Sequence, residues 1–317
     1  GDAGGGFRRP VAPPTSPEWT MGRKTLLFMR VKFPDDPREP ITEGEAHEVM
    51  SAANDYFVRA SYNQLSIATT VGPLVTLPNP KMYYAAVGPG ALLADARAAT
   101  AAAGFEFTAY DLDIVRHENV PGFTWGGLGA LGGRGAWLQG SSLGVVVHEL
   151  GHNLGLAQAN FWRTTRPPRP TDTAGLPFDS TGRVGLDSIY GPGDDIEYGD
   201  PFDIMGGGPA PDGEFNALHK LILSWIPFDN LAEIQTNGTY RLHAHDGGRL
   251  LSGLNYALTF AKDPDRNYWL SVRGNPALNA AGGNRPGLEG HWNNWYQAIG
   301  SSGLPDTTPG TPGERAG

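Results

Sequence analysis

The pentapeptide His148-Glu149-Leu150-Gly151-His152 constrains this chain more than any other feature. Residues four apart on an α-helix lie one turn above each other on nearly the same face. Two imidazoles so placed can reach one zinc ion. The glutamate after the first of them projects beside that ion, where it can take a proton from a water. The pattern therefore calls for a helix, with Ser141 or Ser142 as its cap and an end near Leu156. The competing reading is two histidines satisfied by hydrogen bonds on a buried helix.

The pattern continues past the pentapeptide. Gly155, three residues after His152, permits a sharp exit from the helix through positive φ. Such a turn lets a third ligand, three residues further on, swing back to the metal. This is similar to the metzincin arrangement H-E-x-x-H-x-x-G-x-x-H, except that position 158 is Gln158. A second element of that arrangement is a methionine turn. The stretch Tyr198-Gly199-Asp200-Pro201-Phe202-Asp203-Ile204-Met205-Gly206 supplies one, with Met205 expected as an apolar floor under the histidines.

The stretches HELGHNLGLAQANFW, EYGDPFDIMGG and FNALHKLILSW resemble the gametolysin-type metallopeptidases of the metzincin group. A looser similarity takes in TLLFMRVKFPDD, SYNQLSI, LPNPKMYY and WGGLGALGGRGAWLQG, so that it spans about 24–226 and extends weakly to about 275. The resemblance implies a secreted zinc endopeptidase acting on extracellular-matrix or cell-wall glycoproteins. In that reading His148, His152 and Gln158 hold zinc, and Glu149 is the catalytic base. The family has His where this chain has Gln158, and a neutral amide oxygen is a poorer zinc donor than imidazole. A rival reading follows from the same residue: a non-catalytic protein on this scaffold that binds glycoprotein or polysaccharide.

At 317 residues two domains are expected. The sequence divides into a loose N-terminal segment 1–20, a catalytic domain 21–228, a small β-sandwich-like domain 229–302 and a disordered tail 303–317. The fold class is α+β: a metzincin-like zinc peptidase domain, built of a twisted mixed sheet plus the active-site helix, followed by the β domain. A net charge of −9 argues against nucleic acid as partner. No apolar run reaches the ~18 residues that span a membrane. The partner expected is a protein or peptide substrate, and the chain is expected to be a monomer. Cysteine is absent, which removes thiol catalysis, cysteine–zinc sites and disulfides together. The chain starts at Gly1 without a signal-peptide pattern, as a processed piece of an exported protein would.

Local patterns fill in the elements. Residues 24–33 read as a buried strand, and Thr42 with Glu45 as a capping box opening a helix over 43–60. Residues 64–77 read as one or two short strands, 90–103 as an alanine-rich helix, 111–117 as a strand, and 215–225 as a helix. Asn237-Gly238 marks a hairpin turn between Ile234-Gln235 and Tyr240-Leu242. Residues 256–260 and 268–272 read as further strands. The glycine-rich 122–135 frames the cleft, and Trp137, Leu138 and Gln139 are expected on an edge strand that pairs with a substrate backbone.

Other residues carry two readings each. Asp194, Asp195, Glu197, Asp200 and Asp203 suit either a calcium site or a solvated acidic loop with turn-capping aspartates. His219 is read as a packing or surface residue against a metal ligand, and His243 and His245 as exposed on one strand face against a second metal site. Trp292, Trp295 and Tyr296 form either core packing or a sugar-binding cluster.

Overall fold

The computed structural model describes residues 16–164, 193–208, 210, 213–263, 266–274, 287–294 and 300–305. The chain is α+β with mixed sheets, and it divides into two compact units that part between Gly155 and Leu156.

The first unit is a five-stranded sheet in the order β2-β1-β3-β5-β4. Its strands are β1 (Gly22–Lys32), β2 (Leu65–Thr76), β3 (Leu112–Arg116), β4 (Gly127–Gly129) and β5 (Ala136–Leu138). β1, β2, β3 and β5 are parallel, and β4 runs antiparallel to β5. Parallel neighbours need long crossovers. The first is α2 (Glu43–Ala60), whose capping box forms as the sequence predicts, with Thr42 and Glu45 each bonding the other's backbone N–H. α3 (Lys81–Val87) and α4 (Pro89–Ala102) supply the second.

Alternation along β1 sends Leu27, Met29 and Val31 into one core layer with Tyr84, Leu92, Leu93 and Ala96 of α3 and α4. Leu26 and Phe28, equally buried, turn to the other face. There α2 packs on α5 (Leu143–Leu154), the helix that carries the histidines. A helical turn at Pro17–Thr20, α1, precedes β1. Its Trp19 is pinned, with Nε1 donating to the Asn153 carbonyl at 2.7 Å. The rest of the expected loose segment, 1–15, lies outside the described residues.

The second unit is one seven-stranded sheet in the order β7-β6-β12-β11-β10-β9-β8, where the sequence suggested a small sandwich. Its strands are β6 (Leu156–Thr164), β7 (Gly193–Ile196), β8 (Leu231–Glu233), β9 (Ala257–Asp263), β10 (Arg266–Arg273), β11 (Gly287–Asn294) and β12 (Gly300–Pro305). α6 (Ala217–Ile222) belongs to the same unit.

This topology corrects the expected boundary at 228. β6 begins directly after Gly155 and pairs in parallel with β12, so the chain from 156 onward is built into the sheet of the C-terminal strands. The expected tail loses 303–305 to β12 for the same reason, and 306–317 lie outside the described residues. The hairpin at Asn237-Gly238 does not form: β8 pairs in parallel with β9, and the Ile234 N–H continues that ladder to the Thr259 carbonyl at 2.8 Å.

Candidate metal centre

α5 starts at Ser142, whose hydroxyl accepts from the Val145 N–H, and ends at Gly155 in the left-handed region at φ 109°. That conformation costs an L-residue about 1–2 kcal/mol, so glycine is what permits the helix to stop there. Val146, Val147, Leu150 and Leu154 are fully buried and hold the helix in place. His148 and His152 are partly buried, and their rings stand 4.8 Å apart at 84° to each other. The arrangement leaves two imidazoles next to one another at the surface of a rigid element, as the sequence pattern requires.

Glu149 differs from both histidines. It is 6% exposed, and burial raises its carboxyl to about 8, a direction that suits a group trading protons near neutral pH. What covers it is β4. A Cβ on Gly127 would come within 2.5 Å of Glu149 Oε1 and 2.7 Å of Val145 Cγ1. A Cβ on Gly129 would meet the Glu149 carbonyl at 2.5 Å and His152 Cβ at 2.8 Å. The glycines of 122–135 are therefore where the outer strand lies directly on the helix. Side-chain and backbone bonds strap it down. Asn153 Nδ2 donates to the carbonyls of Ala130 (3.0 Å) and Gly135 (2.9 Å), and the Gly132 N–H donates to the His152 carbonyl at 2.8 Å.

The substrate edge assigned to Trp137, Leu138 and Gln139 is corrected by this sheet. β5 lies between β3 and β4, so Trp137 and Leu138 have strand neighbours on both sides, and the outer strand is β4. Trp137 turns its indole N–H to the Pro89 carbonyl at 2.7 Å. Gln139 is a buried clamp. Its Oε1 accepts from the Val120 N–H at 2.8 Å, and its Nε2 donates to the carbonyls of Phe123 (3.1 Å) and Trp125 (2.5 Å). It thereby fixes the loop that leads into β4. Spacing alone could not separate inner from outer strand, because both stretches are short and neither alternates cleanly.

Gln158 and Met205 belong to the second unit, where they share a framework. Gln158 lies on β6, and its Nε2 donates to the Tyr198 hydroxyl at 3.0 Å. Met205 is fully buried; its carbonyl accepts from the N–H of Ala159, the residue after Gln158, at 3.0 Å. The Ala159 carbonyl in turn accepts from the Asp200 N–H at 3.2 Å. Gly206 is a glycine because a Cβ there would reach the Ala159 carbonyl at 2.8 Å. The methionine loop is thus laced to the strand segment that carries the expected third ligand.

Of the acidic residues expected around this loop, Asp200 and Asp203 turn inward. Asp200 and Asp203 are fully buried, and each carboxylate is engaged by protein donors. Asp200 accepts from the Phe202 N–H (2.9 Å) and meets His291 Nε2 (2.9 Å). Asp203 accepts from the N–H groups of Met205 (2.7 Å) and Asn216 (2.7 Å) and pairs with His219 Nδ1 (2.8 Å). Burial alone would raise Asp203; the His219 partner and the two backbone donors more than reverse it. Glu197 is exposed, and the side chains of Asp194 and Asp195 lie outside the described residues. Among the described residues, no three His, Cys, Asp or Glu side chains converge as a complete metal cage.

His219, His245 and His291 prove to be fully buried partners of carboxylates, and His245 is not on an exposed strand face. His245 Nε2 meets Glu289 Oε2 at 3.3 Å, while the other Glu289 oxygen accepts from Arg273 Nε. Lys220, also buried, donates to the His245 carbonyl at 2.9 Å. Sequence reading missed this polar interior. Glu289 and His291 alternate along β11 as a solvent face does, and period 2 does not say which face is covered. Trp292 has its backbone in β11, and Trp295 and Tyr296 lie outside the described residues.

No protein-family model and no curated protein matches the chain. Among solved structures, one match is a chain of a chaperone–substrate complex, with 15% identity and a TM-score of 0.29. It covers 48% of this chain, and this chain spans 29% of that one.

Proposed function

We propose that the chain is a metzincin-like zinc endopeptidase, secreted and acting on extracellular or cell-wall glycoproteins. The observation that carries this reading is the pair of partly buried imidazoles, His148 and His152, one helical turn apart with rings 4.8 Å from each other and the buried Glu149 on the same helix. The donor set fits zinc: two neutral imidazoles on a rigid element, with Gln158 as the third donor in the sequence pattern. Zinc bound there supplies Lewis acidity toward a peptide carbonyl and lowers the pKa of a water.

The chain's own residues do the rest. Glu149, a carboxylate in a dry setting against Gly127, takes a proton from the attacking water and returns it to the leaving amine. β4, the outer strand beside Glu149 among the described residues, offers its outer edge to an extended substrate backbone. The Gln139 clamp holds the loop leading into that strand.

Metal content after zinc dialysis, with a peptide-cleavage assay alongside, tests the proposal. About one zinc per chain is expected, removable by a chelator together with the activity and restored with it. A zinc content near zero overturns it. One observation favours a second reading, a protein that binds glycoprotein or polysaccharide without cutting it: the neutral amide at position 158. Full zinc with no cleavage of any protein substrate would select that reading.

A further inference from the structure

His117 follows β3 directly, and its backbone N–H continues that ladder to the Leu138 carbonyl at 3.1 Å. Its ring is fully buried and meets three others at steep angles: Phe33 (6.2 Å, 82°), Phe123 (6.2 Å, 78°) and Trp125 (6.1 Å, 89°). Phe123 and Trp125 stack on each other at 4.9 Å. Both belong to the irregular stretch 117–126 between β3 and β4, the same stretch that Gln139 clamps at Val120, Phe123 and Trp125. Two polar side chains therefore hold this loop, Gln139 through its amide and His117 through its ring.

The surroundings keep that ring neutral. Its Nδ1 lies 2.8 Å from the Glu118 carbonyl, which can only accept, so Nδ1 carries the proton. Nε2 is then a bare lone pair, buried and without a hydrogen-bond partner among the described residues. Nearby charges oppose a second proton. Arg116 donates to the His117 carbonyl, and Lys81 of α3 lies over the Phe33 ring at 5.3 Å. The neighbouring carboxylates are engaged elsewhere: Glu118 pairs with Arg38 at 3.3 Å, and Asp36 pairs with Arg38 and Lys81. Burial is the largest influence on the imidazole. The Glu118 carbonyl works against it, Arg116 and Lys81 add to it, and the result is a fall from an ordinary 6.5 to about 4.

We propose that His117 is an acid-operated latch on the loop between β3 and β4: neutral, it holds the loop against Phe33, and protonated, it releases the loop together with the strand that backs Glu149. An imidazolium at this position has lost its water and has no anion in exchange, so the proton is taken up as the loop opens. The closed form binds fewer protons than the open one. Closure is therefore complete above about pH 6.5 and is lost as pH falls toward 4. Release reaches the candidate centre through Gly127, the β4 residue in contact with Glu149. The latch does not depend on the zinc reading, because all its parts lie on the sheet of the first unit and the segments around it.

Amide hydrogen exchange in the full-length natural chain, followed from pH 7 to 4.5 and corrected for intrinsic rates, reads the latch. Protection of 118–126 should fall by roughly 50-fold over that range, while protection of β1 changes by no more than about threefold. Two variants remove the titration. His117→Gln keeps an amide donor for the Glu118 carbonyl, and His117→Phe keeps the aromatic packing. In each, loop protection should vary by no more than about threefold over the same range. The imidazole C2 proton of His117 in the natural chain needs no variant, and it should titrate well below pH 6.5. A flat loop profile in the natural chain overturns the inference. An equal fall in β1 also does, since the opening would then be global. An equal fall in both variants does too, since another group would then take the proton. A His117 that titrates near 6.5 while the loop stays protected overturns it as well.

Discussion

Glu149 Oε1 lies so close to the backbone of Gly127 that a Cβ on that glycine would come within 2.5 Å of it. The carboxylate proposed to move protons is thus in direct contact with the outer strand of the sheet. Gly127→Ala should force Glu149 and Val145 to shift, destabilising the protein by about 1–3 kcal/mol as overpacking does, and should lower peptidase activity. Gly133→Ala is the control. Nothing lies within 4 Å of a Cβ at Gly133, so urea unfolding and activity should stay close to those of the natural chain.

Glu149→Ala separates proton transfer from metal binding. His148 and His152 keep their places on α5, because Val146, Val147, Leu150 and Leu154 anchor the helix. Cleavage should fall by roughly the 10²–10⁴ of lost general-base catalysis while zinc content is unchanged. An unaltered rate would remove Glu149 from the mechanism.

Met205 is fully buried, and only its backbone is hydrogen-bonded, to Asp203 and Ala159. Met205→Leu preserves volume and both backbone bonds. It should cost less than about 1.5 kcal/mol in urea unfolding and leave zinc affinity unchanged. A large fall in zinc affinity would mean that the thioether does more than pack.

The buried Glu289–Arg273 pair sets an acid limb on stability. Burial would raise Glu289, but the Arg273 charge and the His245 bond bring it down to about 2 from an ordinary 4.5. A folded pKa below the unfolded one means that the native state binds fewer protons. Its contribution is therefore complete above about pH 4.5 and is lost as pH falls toward 2. His291 works with the opposite sign. Burial alone would lower it, the Asp200 bond raises it on balance, and its contribution fades as pH climbs through the raised value. Glu289→Gln should flatten the acid limb between pH 4.5 and 2 in urea titrations. It should also cost about 3–5 kcal/mol at neutral pH, because Arg273 is left buried without its carboxylate.

The sequence by itself determined what is local. The helix of His148, Glu149 and His152, its Ser142 cap and its Gly155 stop are all legible, because capping and left-handed turns depend on a few adjacent residues. The Thr42–Glu45 box and the buried run of β1 were legible for the same reason. Tertiary structure decided what depends on neighbours far along the chain. Strand order made β4 the edge and Gln139 a clamp, and the pairing of β6 with β12 moved the division of the chain to Gly155. It also turned Asp200, Asp203, Glu289 and His291 inward, where alternation alone reads as a solvent face. A polar residue can be buried only if a partner meets it, and beside the N–H groups two positions on, the partners of Asp200 and Asp203 include ones 13 to 91 positions away, as Asn216 is for Asp203 and His291 for Asp200. Sequence periodicity reports which residues share a face; only the packed chain decides whether that face is covered and by what.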